Sequence, residues 1–189
     1  MTLLDKDYKD QLEYLHQAGK FGNGHTAYIL VKDFIEKYQP TSVLDFGCGH
    51  GGLIATIKEL HPEIEVTGYD PGNPNFQHLP KHPIDTIVST DAIEHIEPEY
   101  LDTTLRIINE KMQRCGFFRI ACYPAKKQLP DGRNAHLIVE LPEWWRNKIQ
   151  SIMDVDIVWE NIQVVDKTSK WPNVKGHNYD VVVVKRQVK

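Results

Sequence analysis

The chain has 189 residues, 41% of them apolar and 25% charged, and a formal net charge of −4. That length suits one globular domain with a full core, and the acidic balance excludes a general attraction to nucleic acid or anionic membrane while leaving room for a local basic patch. Three cysteines, Cys48, Cys115 and Cys122, have neither metal spacing nor an even-numbered framework, so they read as reduced thiols.

The first residues carry no cationic and apolar leader, and no apolar run approaches twenty residues. The expectation is a cytoplasmic protein without a membrane span. Residues 5–18 read as a helix, with acids at its start and Leu12 and Leu15 on one face. A glycine-rich stretch, 19–25, breaks it. Residues 26–38 resume a helix whose stripe is Ile29, Leu30, Phe34 and Ile35, and Pro40 closes it. Residues 1–40 are thus expected to be an N-terminal helical segment of a single domain spanning 1–189.

Residues 42–46 form a short apolar strand that runs into Gly47-Cys48-Gly49-His50-Gly51-Gly52 and then a helix over 53–60. Glycines in such a turn let the backbone take positive φ and let a ligand approach the main chain. The helix that follows offers free N–H groups to polar or anionic atoms. A second apolar run ends in Asp70, eighteen residues past Gly52. An acid at that strand tip is placed to accept both hydroxyl hydrogens of a ribose. Strand, glycine turn, helix and acid together predict a nucleoside-bearing cofactor.

Pro71, Pro74 and Pro80 exclude a helix after Asp70. Residues 84–89 read as a strand, Pro98 opens a helix over 99–114 with Leu101, Leu105, Ile108 and Met112 inward, and 116–123 is a strand. A loop over 124–135 carries Lys126, Lys127 and Arg133. Pro142 starts a helix that runs to about Met153. Residues 155–165 and 178–186 are expected as an antiparallel strand pair, followed by a solvated basic tail, 185–189. Alternating strands and helices predict an α/β fold with a doubly wound, mostly parallel sheet. Ligands of such sheets bind beyond the carboxyl ends of the strands. That rule gathers Asp45, Asp70, Thr90, Asp91 and the loop after Tyr123 around one crevice.

Dinucleotide enzymes and S-adenosylmethionine (SAM) enzymes share this layout, but the SAM enzymes carry an acid two residues before the first glycine, where Asp45 stands. The run Leu44-Asp45-Phe46-Gly47-Cys48-Gly49-His50-Gly51, with Tyr69-Asp70 and with residues 85–96, resembles the class I SAM-dependent methyltransferases. The resemblance covers residues 40–125. It implies a Rossmann-like methyltransferase fold, S-adenosylmethionine as cofactor, and Asp45, Gly47, Cys48, Gly49, Asp70, Pro71, Thr90 and Asp91 as cofactor contacts. One interval departs from the family pattern. Members usually place a helix and a third strand between the two acids that here are Asp70 and Asp85, only fifteen positions apart. A reduced third-strand layer is therefore expected, with Phe76 or Leu79 covering the adenine in place of the usual acid. N-terminal segments like 19–25 often close over the cofactor in such enzymes; a plain turn between helices reads equally well.

Asp91, Glu94 and His95 have i, i+3, i+4 spacing and would share a face on one helical turn. Three readings compete: a solvated helix start capped by Asp91, acid–base chemistry in which His95 or Glu94 takes the acceptor's proton, and a divalent metal site. The pattern is similar to the Glu-x-x-Glu-His of ubiquinone-pathway O-methyltransferases and small-RNA 2′-O-methyltransferases, which implies a metal. Asp91 replaces the first Glu, and His136 stands where the RNA enzymes have their later histidine. Glu94, His95 and His136 are the catalytic candidates. Adjacent Trp144 and Trp145 point about a hundred degrees apart, so one is expected in the core while the other is free to wall a pocket. The combined reading is methyl transfer to an oxygen or nitrogen of a small polar or sugar-bearing acceptor, with Lys126, Lys127 and Arg133 suited to an anionic group. A nucleic-acid polymer is disfavoured by the scattered basic residues. The alternatives are an RNA 2′-O-methyltransferase-like enzyme, an NAD(P)-dependent oxidoreductase, and a non-catalytic partner subunit of the same fold.

Overall fold

A computed structural model describes residues 3–19, 27–166 and 175–186. Most of the glycine-rich stretch 19–25 and the last three residues of the basic tail lie outside the described residues. Six strands make one sheet: β1 (Ser42–Phe46), β2 (Glu65–Tyr69), β3 (Ile84–Thr90), β4 (Met112–Cys122), β5 (Val155–Asp166) and β6 (Lys175–Lys185). Their order is β2-β1-β3-β4-β6-β5. The first four are parallel; β6 runs antiparallel to β5, as the sequence pattern predicts, and also to β4.

The described residues include five α-helices: α1 (Lys6–Gln17), α2 (Tyr28–Tyr38), α3 (Gly52–Leu60), α4 (Pro98–Lys111) and α5 (Pro142–Ile152). The central strands bury both faces, so their sequences are near-continuous apolar runs rather than alternating ones. Leu44 and Phe46 join Leu105, Phe118, Trp145 and Val181 in one core. Val43 and Val88 point the other way and join Val31, Phe34, Ile57 and Phe117 beneath α2 and α3. No helix among the described residues is long and apolar enough to cross a membrane.

The third-strand layer is reduced, as expected. Residues 70–83 contain neither helix nor strand, and β2 is the edge of the sheet. The interval holds itself by short backbone bonds, the Asp70 amide to the Phe76 carbonyl at 2.9 Å and the Phe76 amide to the Asn73 carbonyl at 2.9 Å. Two expectations shift. The helix predicted to reach residue 114 ends at Lys111, and β4 begins at Met112. Pairing decides this: Met112 registers with Ile84, and the Arg114 guanidinium grips Asp85 with two bonds of 2.7 and 2.8 Å. The Asp91–His95 segment is a 3-10 turn, Ile93–His95, and not an α-helical one. Trp145 is in the core; Trp144 stacks edge-on against it at 5.1 Å and lines neither of the cavities described below.

Candidate active site

The glycine turn is built by close approach. Gly47 has φ 85°, and a Cβ there would fall 2.3 Å from that of Ala92. Gly49 and Gly51 also lie at positive φ. The Gly47 and Cys48 amides both donate to the Tyr69 carbonyl, which ties the turn to the end of β2. Asp70 is buried and held from both sides: the Gly49 amide donates to Oδ2 at 2.8 Å and the Gly72 amide to Oδ1 at 2.9 Å. Asn73 donates its side-chain amide to the Gly49 carbonyl at 2.7 Å. A carboxylate fixed this way presents its remaining lone pairs outward, in a cradle that fits a ribose diol.

The cavity over this cradle measures about 130 Å³. Gly47, Gly49, Asp70, Pro71, Asp91 and His95 line it, and α1 closes it with Tyr8, Leu12 and His16. Asp45, Cys48 and Thr90 are not among its lining residues. Asp45 is buried on the α2 and α3 side of β1, where burial, aided by the Asp70 charge, pushes its carboxyl up to about 7. Cys48 is buried beside the turn, and burial raises its thiol pKa. Thr90 ends β3, half-buried. Phe76 packs against Gly51 and Gly68 beneath the turn, within the core.

A second cavity of about 280 Å³ opens beyond β4. Asp91 and His95 line both cavities; Tyr123, Lys126, Lys127 and His136 line only the second. Asp91 has φ 50°, a left-handed conformation that Asp adopts more readily than most residues and that clusters at functional sites. His95 Nδ1 bonds the Ala135 carbonyl at 2.7 Å, and His136 Nδ1 bonds the Tyr123 carbonyl. A carbonyl only accepts, so each Nδ1 carries a proton, and in the neutral ring Nε2 is the lone-pair nitrogen. The rings meet edge to face, with centroids 4.8 Å apart. Glu94 is fully buried; Oε1 accepts from the Ala121 amide at 3.2 Å, while Oε2 has no hydrogen-bond partner. Burial, reinforced by the Asp91 charge, pushes the Glu94 carboxyl up to about 8. Burial and the His136 ring hold His95 down to about 3. Glu94, His95 and His136 each offer one ligand atom, all within 4.8 Å of one another. That donor set, with an orphaned buried carboxylate oxygen, fits a divalent cation.

The loop that carries His136 is stapled by Asn134, whose Oδ1 accepts from the Ala125 and His136 amides and whose Nδ2 donates to the Ala125 carbonyl. Arg133 does not join the lysines. It bonds Glu97 and Asp131 and lies over the Tyr8 ring.

The family model of the methyltransferase domain matches residues 14–150. The chain belongs to the methyltransferase-domain family. A search of curated protein sequences gives no match for this methyltransferase. Its fold is that of solved SAM-dependent methyltransferases. Coclaurine N-methyltransferase, solved with N-methylheliamine and S-adenosylhomocysteine (SAH), is 13% identical with a TM-score of 0.62, over 86% of this chain and 70% of that one. The Burkholderia thailandensis 1,6-didemethyltoxoflavin-N1-methyltransferase, solved with 1,6-didemethyltoxoflavin and SAH, is 16% identical with a TM-score of 0.54, over 88% and 92%. The [4+2]-cyclase SpnF is 13% identical with a TM-score of 0.60, over 86% and 82%. A cyclase on the same fold means that the architecture alone does not name the reaction.

In the methyltransferase, His16, Asn73 and Asn134 shape the site without a sequence signal. Asn73 lies in a proline-rich stretch and Asn134 in a polar loop, each indistinguishable from an ordinary turn residue. His16 lies near the end of α1, where the sequence pattern singles out only Leu12 and Leu15.

Proposed function

We propose that this methyltransferase moves a methyl group from SAM to an oxygen or nitrogen of a small polar acceptor, sugar-bearing acceptors included, that carries an anionic group. The observation that carries the reading is the pair of cavities meeting at Asp91 and His95. One holds the ribose cradle and the other the two lysines. A methyl donor on one side and an acceptor on the other would face each other across that wall.

Asp70 binds the ribose, and Gly47 and Gly49 leave the main chain open to the rest of the cofactor. Pro71 and Asp91 complete the cofactor surroundings, while Asp45, Cys48 and Thr90 stand behind the turn and support it. Methyl transfer is an in-line displacement at carbon, so alignment supplies much of the acceleration. The acceptor must also give up one proton. His95, held down to about 3, is a weak proton acceptor at neutral pH. Its neutrality suits ligation instead. Glu94, His95 and His136 would hold a divalent cation, which supplies a lowered pKa to an acceptor hydroxyl. Without one, the base is either His95, which lines both cavities, or the ionised form of Glu94 acting from behind it. Lys126 and Lys127 take the acceptor's phosphate or carboxylate.

The test is a methyl-transfer screen of phosphorylated and carboxylated sugars and small hydroxylated or amino acids, read as SAH release, beside a mobility shift with short RNA at physiological salt. Turnover on a small anionic acceptor supports the reading. Tight, salt-sensitive RNA binding with terminal methylation would replace it with the small-RNA type of reaction.

A further inference from the structure

The α1 helix closes the first cavity with Tyr8, Leu12 and His16 and, through Tyr8, also holds His95, which lines the second. Its last turn sets His16 on Asp70, with Nε2 3.5 Å from Oδ1. The His16 ring is 7% exposed and stands edge-on to His50 in the glycine turn, with centroids 5.3 Å apart. Leu12 and His16 press so closely on Gly72 that a Cβ there would lie 2.7 Å from Leu12 Cβ and 2.8 Å from His16 Cδ2. The earlier turns of α1 reach the acceptor side. The Tyr8 hydroxyl donates to the His95 carbonyl at 2.6 Å, and the Gln11 side-chain amide donates to Asp131 at 3.0 Å.

A carboxylate offers about four acceptor positions. The Gly49 and Gly72 amides take one on each oxygen of Asp70, which leaves two, the number a vicinal diol needs. His16 stands over one of those oxygens. The cavity of about 130 Å³ is also well below the ~300–1,000 Å³ of small-molecule sites. A nucleoside and α1 as seated compete for one space.

We propose that the cofactor's ribose displaces His16 from Asp70 and unseats the last turns of α1, so that α1 is a cap released by cofactor loading. The inference rests on the assignment of Asp70 to the ribose. Because Tyr8 of the same helix holds the His95 carbonyl and His95 lines the second cavity, unseating α1 as far as Tyr8 loosens that cavity's wall. Cofactor therefore binds first and acceptor second.

The experiment uses the full chain and SAH, with amide hydrogen exchange over residues 6–17 and calorimetry on wild type, His16→Ala, His16→Gln and Asp70→Ala. SAH should speed exchange across α1 in the wild type. His16→Ala should exchange fast without ligand, change little on adding SAH, and bind SAH about three- to tenfold more tightly, since the seated state no longer competes. His16→Gln, which keeps a donor toward Asp70, should stay close to wild type. Slower exchange of α1 on adding SAH, or weaker SAH binding by His16→Ala, would overturn the displacement. Equal SAH affinity in wild type and Asp70→Ala would overturn the ribose assignment itself, whatever α1 does.

Discussion

The Asn73 side-chain amide closes on the Gly49 carbonyl at 2.7 Å and so joins the loop after β2 to the glycine turn after β1. Both ends of this bond are buried. Asn73→Ala leaves a buried carbonyl unsatisfied, at a cost of roughly 1–3 kcal/mol. Chemical denaturation should show that loss, and calorimetry should show weaker SAH binding because the cradle loosens. A variant as stable as wild type with unchanged SAH affinity would mean that the bond orders nothing.

Asp70→Ala should weaken SAM and SAH by roughly 2–4 kcal/mol, through loss of two charge-assisted hydrogen bonds in a partly buried site. Calorimetry gives the number directly. Wild-type affinity in this variant would sink the ribose assignment.

Metal removal separates the two proton-transfer readings. An excess of EDTA should abolish turnover, and added Mg²⁺ or Mn²⁺ should restore it. Glu94→Gln and His136→Ala should each lose metal retained through desalting, counted by mass spectrometry. Full activity in EDTA with no bound metal leaves His95 or Glu94 as the base.

Asp45 sets a pH dependence of stability. Its carboxyl is pushed up to about 7 from an ordinary 3.8, chiefly by burial. As pH rises through that window the unfolded chain ionises first while the folded chain keeps its proton, so stability falls from about pH 4 to about pH 7 and then levels. Asp45→Asn removes this contribution. Its melting temperature should therefore decline less steeply than that of wild type across the same window. Parallel curves for the two proteins would show that Asp45 is not the group responsible.

Lys126 and Lys127 line the second cavity, proposed for the acceptor, from exposed positions. Replacing both with Ala should raise KM several-fold for an anionic acceptor and leave KM for a neutral analogue unchanged. Steady-state kinetics with a matched pair of acceptors makes the comparison. An equal rise for both would point to a loop effect rather than charge recognition.

The sequence by itself determined the order of strands and helices, the glycine turn and the missing third-strand layer. Those features depend on local rules: Gly47, Gly49 and Gly51 are glycines because the chain there needs positive φ, and three prolines between Pro71 and Pro80 leave no room for a helix. The parallel-sheet rule also gathered Asp45, Asp70, Thr90, Asp91 and the loop after Tyr123 around one crevice, of which Asp45 and Thr90 line neither cavity. Only the tertiary structure decided what each side chain meets there. Met112 reads as an inward position of a helix until Ile84 pairs with it and makes it the start of β4. Arg133 reads as a third cation for the acceptor until Glu97, 36 residues away in sequence but a neighbour in space, takes it at 3.3 Å. His16 carries no signal in the sequence, and only the docking of α1 sets it on Asp70. Backbone conformation is chosen by neighbours along the chain, whereas partners for long side chains are chosen by packing between elements distant in sequence, which no local pattern records.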